Sequence, residues 1–183
     1  MKSWKTLKTK IIEQNKYLRF LVDTFVTDSG QSGEYFYHTN AHGDNAVGSF
    51  VQKDEDTFIM IREYRYLYDR ISISQTQGSV ELGEAMIDAA KREVIEETGY
   101  EPKTLIDLGW FATAPSFSKE KAHVFLARDL KPVGQKLDEI ERIETIEMTI
   151  DEIDQAIESG QIWDGQVVAA WYRVKAYLSK ETL

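Results

Sequence analysis

The sequence predicts an α/β protein, a mixed β-sheet with helices packed on it. Runs rich in β-branched and aromatic residues, bounded by turn residues, fill most of the first 70 positions. Helical periodicity appears after position 85, and from there strands and helices alternate irregularly. With 183 residues, of which 42% are hydrophobic, the chain can build the core of one domain and a small extension.

The elements follow in order. Tyr17–Val26 reads as a strand, Thr27–Gly33 as a turn, and Glu34–Thr39 as the returning strand of a hairpin. Asn45–Val51 and Thr57–Tyr66 form a second strand pair around the turn Gln52–Asp56. Met86–Thr98 is the strongest helix: Ile87, Ala90 and Val94 recur at i, i+3 and i+7 and are expected in the core. Gly99 ends it as a left-handed cap. Strands are expected near Leu108–Thr113 and His123–Ala127, and helices over Ile150–Glu158 and Gly165–Leu178. Trp110, Trp163 and Trp171 are expected in the core.

Composition removes several function classes. The chain has no cysteine, which excludes disulfides and thiolate metal sites and makes a reducing cytoplasm the expected compartment. Met1–Ile12 is Lys-rich and lacks the apolar centre of a signal peptide. No apolar run approaches a membrane span, so no membrane partner is expected. A net charge of −9 argues against broad nucleic-acid binding. Acidic proteins still bind polyphosphates where divalent cations bridge the two.

Glu93, Glu96 and Glu97 place three carboxylates within five positions of the predicted helix. Glu93 and Glu97 form an i, i+4 like-charge pair, and all three sit toward the helix C-terminus, where the macrodipole disfavours negative charge. Alone, the stripe reads as a solvated acidic face helped by Lys91 and Arg92, or as a site for a hard divalent cation. The surroundings decide it. Gly78, five residues, Glu84, seven residues, then Arg92-Glu93-Val94-Ile95-Glu96-Glu97-Thr98-Gly99-Tyr100 set nine defined positions over 23 residues.

That pattern resembles the Nudix box, and the resemblance implies a Nudix-type α/β/α sandwich on a mixed sheet, with an N-terminal β extension. It implies a hydrolase that uses Mg2+, or Mn2+, to cleave a nucleoside diphosphate linked to another group. Glu93 and Glu97 would be the main metal ligands, with Glu96 sharing the task and the backbone carbonyl of Gln77 adding a ligand. Gly78 permits a tight loop ahead of the helix, Arg92 holds a neighbouring carboxylate, and Glu84 and Gly99 are structural.

The resemblance continues outside the box, toward the ADP-ribose pyrophosphatase branch. Met60–Tyr66 ("MIREYRY") is similar to that branch's "vrQyRyp" strand, which implies substrate contact by Arg65, with Arg62 beside it. Trp110–Leu130 and Glu158–Leu178 also resemble segments of the branch. The branch enters the box through "E.PAG"; here the chain reads Ser74-Gln75-Thr76-Gln77-Gly78, and Ser116 replaces a glycine of a substrate loop. These departures favour a relaxed preference among nucleoside diphosphate sugars.

The resemblance places the catalytic base in the acidic loop Asp138–Glu147, at Glu141 or Glu139, with Glu144 a weaker third and Glu96 the fallback inside the box. It also implies a homodimer through residues 1–40, followed by the Nudix domain over 41–183. Two other functions compete: hydrolysis of another nucleoside diphosphate derivative, such as a triphosphate or dinucleotide, and a non-catalytic nucleotide-sugar sensor. A sensor would be expected to lose box carboxylates, and this chain keeps all of them. His38 and His42, four apart, read as turn or surface residues, and Trp4, Tyr17 and Phe20 as packing aromatics rather than a base-stacking platform.

Overall fold

The computed structural model describes residues 4–137 and 142–181. Its strands are β1 (Lys5–Gln14), β2 (Leu18–Val26), β3 (Ser32–Asn40), β4 (Asn45–Gln52), β5 (Thr57–Arg65), β6 (Arg70–Ser74), β7 (Thr76–Ser79), β8 (Tyr100–Ala112), β9 (Lys121–Pro132) and β10 (Ile143–Thr149). Its helices are α1 (Met86–Thr98), α2 (Ile150–Glu158) and α3 (Gly165–Glu181). The chain divides into two compact units: residues up to Asn45 with Ala112–Lys121, and Ala46–Phe111 with Ala122 to the end.

The first unit is built on an antiparallel sheet in the order β1-β2-β3. The hairpin expected from the sequence is β2 with β3, in register from Leu18 with Asn40 to Val26 with Ser32. Gly33 lies across from Phe25, whose ring occupies the space a Cβ would need, at 2.6 Å. The third strand, β1, was not expected. Every residue of it is exposed, so its composition carries none of the alternation that burial of one face would impose.

The second unit holds the remaining strands in the order β10-β5-β4-β9-β8, with β6 added on β5 and β7 on β4. One face of this sheet packs Phe50, Phe58, Met60 and Leu126 against Ile153 of α2 and Val167, Trp171 and Val174 of α3. The other face packs Val47, Val51, Ile59 and Phe125 against Ala89, Ala90 and Val94 of α1. This is the α/β/α arrangement expected. Each large apolar side chain buried here contributes roughly 1.5–3 kcal/mol. A capping box opens α2, with the Thr149 hydroxyl accepting the Glu152 N–H and the Glu152 carboxylate accepting the Thr149 N–H.

Three expectations about the core are corrected. Ile87 is 48% exposed, and the buried stripe of α1 is instead Ala89, Ala90 and Val94, continued by Glu97 and Thr98. The carboxylate row thus runs into the buried face rather than beside it. Trp110 is 48% exposed. Trp163 is only half-buried, its indole N–H donating to the Ile71 carbonyl; Trp171 is the tryptophan of the core. Finally, β6 and β7 were not expected. They are only five and four residues long, and β7 carries a glycine, a residue depleted in strands.

Candidate active site

The site begins with β7. Its pairing with β4, Val47 opposite Gly78, holds the Gly78 backbone in the sheet. A Cβ built on Gly78 would lie 1.9 Å from Oε1 of Glu93. The box glycine is therefore there to admit a carboxylate, not to make a tight loop, which corrects the expectation. The loop between β7 and α1 has its own glycine, Gly83, at φ +84°. One residue back, the Gln77 N–H donates to Oε2 of Glu97 at 3.0 Å. Two carboxylates of α1 thus rest against two consecutive residues of one strand.

Charge is balanced by Arg92. Its Nε and Nη2 donate to the two oxygens of Glu84 at 3.0 and 3.1 Å, a bidentate pair. Nη1 donates to Glu93 at 2.6 Å and to Glu96 at 3.2 Å, and Nη2 also donates to the Ser79 carbonyl at 3.0 Å. Glu84 accepts the Glu81 N–H as well, which ties the loop to the helix. The Arg92 hydrogen bonds hold the Glu84 carboxyl below the usual carboxylate range, although burial works the other way. Arg92 is held fully protonated, chiefly by Glu84. Lys91 is spent elsewhere, on Glu101 at 2.8 Å.

The C-terminal end of α1 is closed by the chain after β9. Gly99 takes the left-handed conformation expected of it, at φ 75°, and its N–H bonds to the Ile95 carbonyl. Lys136 N–H donates to the Glu96 carbonyl, and Val133 and Gly134 donate to the Gly99 carbonyl. The Gln135 side chain reaches the Glu97 carbonyl. These donors satisfy carbonyls that a helix end leaves open. The predicted base residues Glu139 and Glu141 lie outside the described residues. The described chain on either side of them is anchored by Lys136 to the end of α1 and by Ile143, which pairs with Glu63 of β5.

The donor set suits an oxygen-preferring divalent cation. Glu93, Glu96 and Glu97 supply carboxylates, and Gln77 sits against Glu97 with its carbonyl available in kind. The space left by the missing Cβ of Gly78 is filled by a carboxylate. Among the described residues no three ligating side chains already surround one point; Glu93 and Glu96 are turned to Arg92.

Alternation along β5 separates the two predicted substrate arginines. Ile59, on the α1 face, shares its parity with Glu63 and Arg65; Phe58 and Met60, on the opposite face, share theirs with Arg62. Only Arg65 is therefore brought to the face of the box. Arg62 faces away, 3.8 Å from Glu144 of β10, whose side chain is 77% exposed. Glu63 was missed by the sequence reading. Its signal was its spacing, two residues from Arg65 on a strand, which forces both onto one face.

The NUDIX domain matches this chain over residues 43–171. The chain belongs to the Nudix family. It is a Nudix hydrolase, and hydrolases of this family generally use divalent metals. It is 34% identical over 140 residues to the ADP-ribose pyrophosphatase of Bacillus subtilis, covering 75% of this chain and 74% of that one. It is 33% identical over 170 residues to the methanol dehydrogenase activator of Bacillus methanolicus, covering 91% and 89%. Among solved structures, an ADP compounds hydrolase matches the Nudix chain's fold with a TM-score of 0.88 at 21% identity, covering 99% of this chain and 97% of the other. No helix among the described residues is long and apolar enough to cross a membrane.

Proposed function

We propose that this Nudix hydrolase cleaves the diphosphate of nucleoside diphosphate sugars, ADP-ribose or a related sugar nucleotide, giving a nucleoside monophosphate and a sugar phosphate. The observation that carries the reading is the seating of Glu93 against Gly78 and of Glu97 on the Gln77 N–H, with Arg92 donating to Glu93 and Glu96. Glu93, Glu97 and Glu96, with the Gln77 carbonyl, would hold Mg2+ or Mn2+. A bound divalent ion supplies Lewis-acid stabilisation of the diphosphate charge and lowers the pKa of water.

The chain's own groups do the rest. Arg65, on the α1 face of β5, neutralises and orients an anionic oxygen of the substrate. Arg92 keeps the glutamates at fixed positions through the change in charge. Glu141 or Glu139 takes the proton of the attacking water, a role on the order of 10²- to 10⁴-fold in rate. Replacement of the branch's "E.PAG" residues at Ser74, Thr76 and Gln77 supports a broad sugar preference. The relative from Bacillus methanolicus supports a second reading, in which the chain also activates a dehydrogenase; it matches nearly the whole of this chain.

The exposed apolar side chains of the first unit, Trp4, Leu7, Ile11, Ile12 and Phe36, support a homodimer through residues 1–40. The test of function is product release with Mg2+ and with Mn2+ across ADP-ribose, other sugar nucleotides, triphosphates and dinucleotides, with and without an alcohol dehydrogenase. Turnover is expected to be fastest on a nucleoside diphosphate sugar; faster turnover of triphosphates would overturn the substrate class. Glu139→Gln or Glu141→Gln is expected to lose about 10²-fold in turnover with substrate binding kept. If both stay within a few-fold of the parent, the base lies elsewhere, first at Glu96.

A further inference from the structure

Glu63 and Arg65 leave β5 on the face that carries α1. The register with β6 sets Ile61 opposite Ser74, Glu63 opposite Ser72 and Arg65 opposite Arg70. Ser72, Ser74 and Arg70 therefore share the face of Glu63 and Arg65. Both serines are 0% exposed. Ser74 Oγ donates to Oε1 of Glu63 at 3.4 Å, and the same oxygen lies 2.6 Å from Nη2 of Arg65. That ion pair is close but not aligned as a hydrogen bond, and Nη2 is buried without an aligned acceptor. A buried guanidinium N–H in this state costs free energy until an acceptor arrives.

The register places Glu63 and Ser74 diagonally across the β5–β6 pair, in contact. A carboxylate carried at either position would lie beside the same guanidinium.

We propose that Glu63 is the positioning residue for Arg65, holding its guanidinium with a carboxylate carried on the same strand. Resting on the function proposed above, this assigns Glu63 the task of fixing the guanidinium on the α1 face, the Arg65 side chain still 30% exposed to an anionic oxygen of the diphosphate. Arg70 stands opposite Arg65 in the register, with its guanidinium turned onto the Trp163 ring, 5.0 Å from the centroid.

The experiment is a charge exchange read in kinetics and in stability. Glu63→Ser is compared with the volume-conserving double variant Glu63→Ser, Ser74→Glu, and with Glu63→Gln, which keeps size and removes charge. On the best diphosphate substrate, Glu63→Ser and Glu63→Gln are expected to raise KM about tenfold while kcat stays within a few-fold, the signature of lost binding rather than lost chemistry. The double variant is expected to regain most of that KM and most of the melting temperature lost in Glu63→Ser. If the double variant regains the melting temperature but not KM on an active parent, Glu63 is only structural and the proposal falls. It falls equally if neither is regained while Glu63→Gln matches the parent. If the parent cleaves no diphosphate and the melting temperature is still regained, the Glu63–Arg65 pairing stands and it is the proposed function that fails.

Discussion

Around α1, charged side chains find partners within their own unit. Arg92 alone reaches Glu84, Glu93, Glu96 and the Ser79 carbonyl. Glu97, 6% exposed, accepts the Gln77 N–H. In the N-terminal sheet, apolar side chains are left open. Trp4 and Leu7 are each 56% exposed and Ile12 51%, and β1 is an edge strand with no residue buried. One region has buried charge and supplied the donors for it; the other exposes apolar surface and has supplied no cover. The first looks prepared for a charged ligand, the second for another surface, because polar groups are buried only when partnered and large apolar patches mark contacts.

If the α1 region is a ligand site rather than a structural ion-pair network, charge can be removed there with the fold kept. Glu97→Gln is the sharpest form of this. The amide retains a carbonyl oxygen to accept the Gln77 N–H, so the seat on β7 survives while the negative charge is lost. Turnover with saturating divalent metal is expected to fall on the order of 10²-fold or more, with the melting temperature within a few degrees of the parent. Near-normal turnover would show that the charge belongs to structure alone.

Gly78→Ala acts on the same seat from the other side. The new methyl meets the far end of the Glu93 side chain at 1.9 Å. A flexible carboxylate can swing aside, so the stability cost is expected at the low end of overpacking, about 1 kcal/mol. Turnover is expected to fall far more than that cost accounts for, because Glu93 has lost its place. Thermal unfolding and turnover measured on one preparation check this; parallel small losses in both would make Gly78 a packing glycine and no more.

The contrast also bears on what the sequence could tell. The box was legible because its spacing encodes contacts that lie close along the chain: the Gly99 cap and the span of α1 follow from local chemistry. The role of Gly78 was not, since its reason is Glu93, fifteen positions on and meeting it only once the sheet forms. Ser74 stood alone as a departure, and Glu63 drew no notice, until β6 brought the two into contact. β1 left no signal because neither of its faces is buried. Ile87 was placed in the core by periodicity, which finds the stripe but not the point in the first turn where the neighbouring surface ends.

Acid should loosen the α1 region. Glu84 has a depressed pKa in the folded protein, because Arg92 stabilises its ionised form. Its contribution to stability is therefore complete above the unfolded carboxylate pKa, about 4.3, and is lost as pH falls through the lower folded value. Stability is thus expected to rise with pH across that interval, since the unfolded chain holds more protons there. Glu84→Gln should flatten this part of the acid limb and leave the curve above pH 6 parallel to the parent's. Unfolding midpoints in urea between pH 3 and pH 7 give the comparison; an unchanged acid limb would place the pH-sensitive pair elsewhere.

The smallest effect on the α1 region should come from charging the N-terminal sheet. Ile11 is 48% exposed on β1, directly across from Leu21 of β2. In an isolated chain, Ile11→Lys exchanges one exposed side chain for another, and such surface changes alter stability by less than about 0.5 kcal/mol. If the sheet is covered by a second copy, the same lysine must be buried against apolar surface, and an unpaired buried charge is costly. The variant should therefore sediment as a monomer at micromolar concentration where the parent sediments as a dimer. Secondary structure and the acid limb set by Glu84 should be unchanged. A parent that is itself monomeric would show that the apolar sheet does not serve a homodimer. A variant that stays dimeric would move the interface off β1, since no arrangement that buries Ile11 tolerates the ammonium group without a nearby carboxylate.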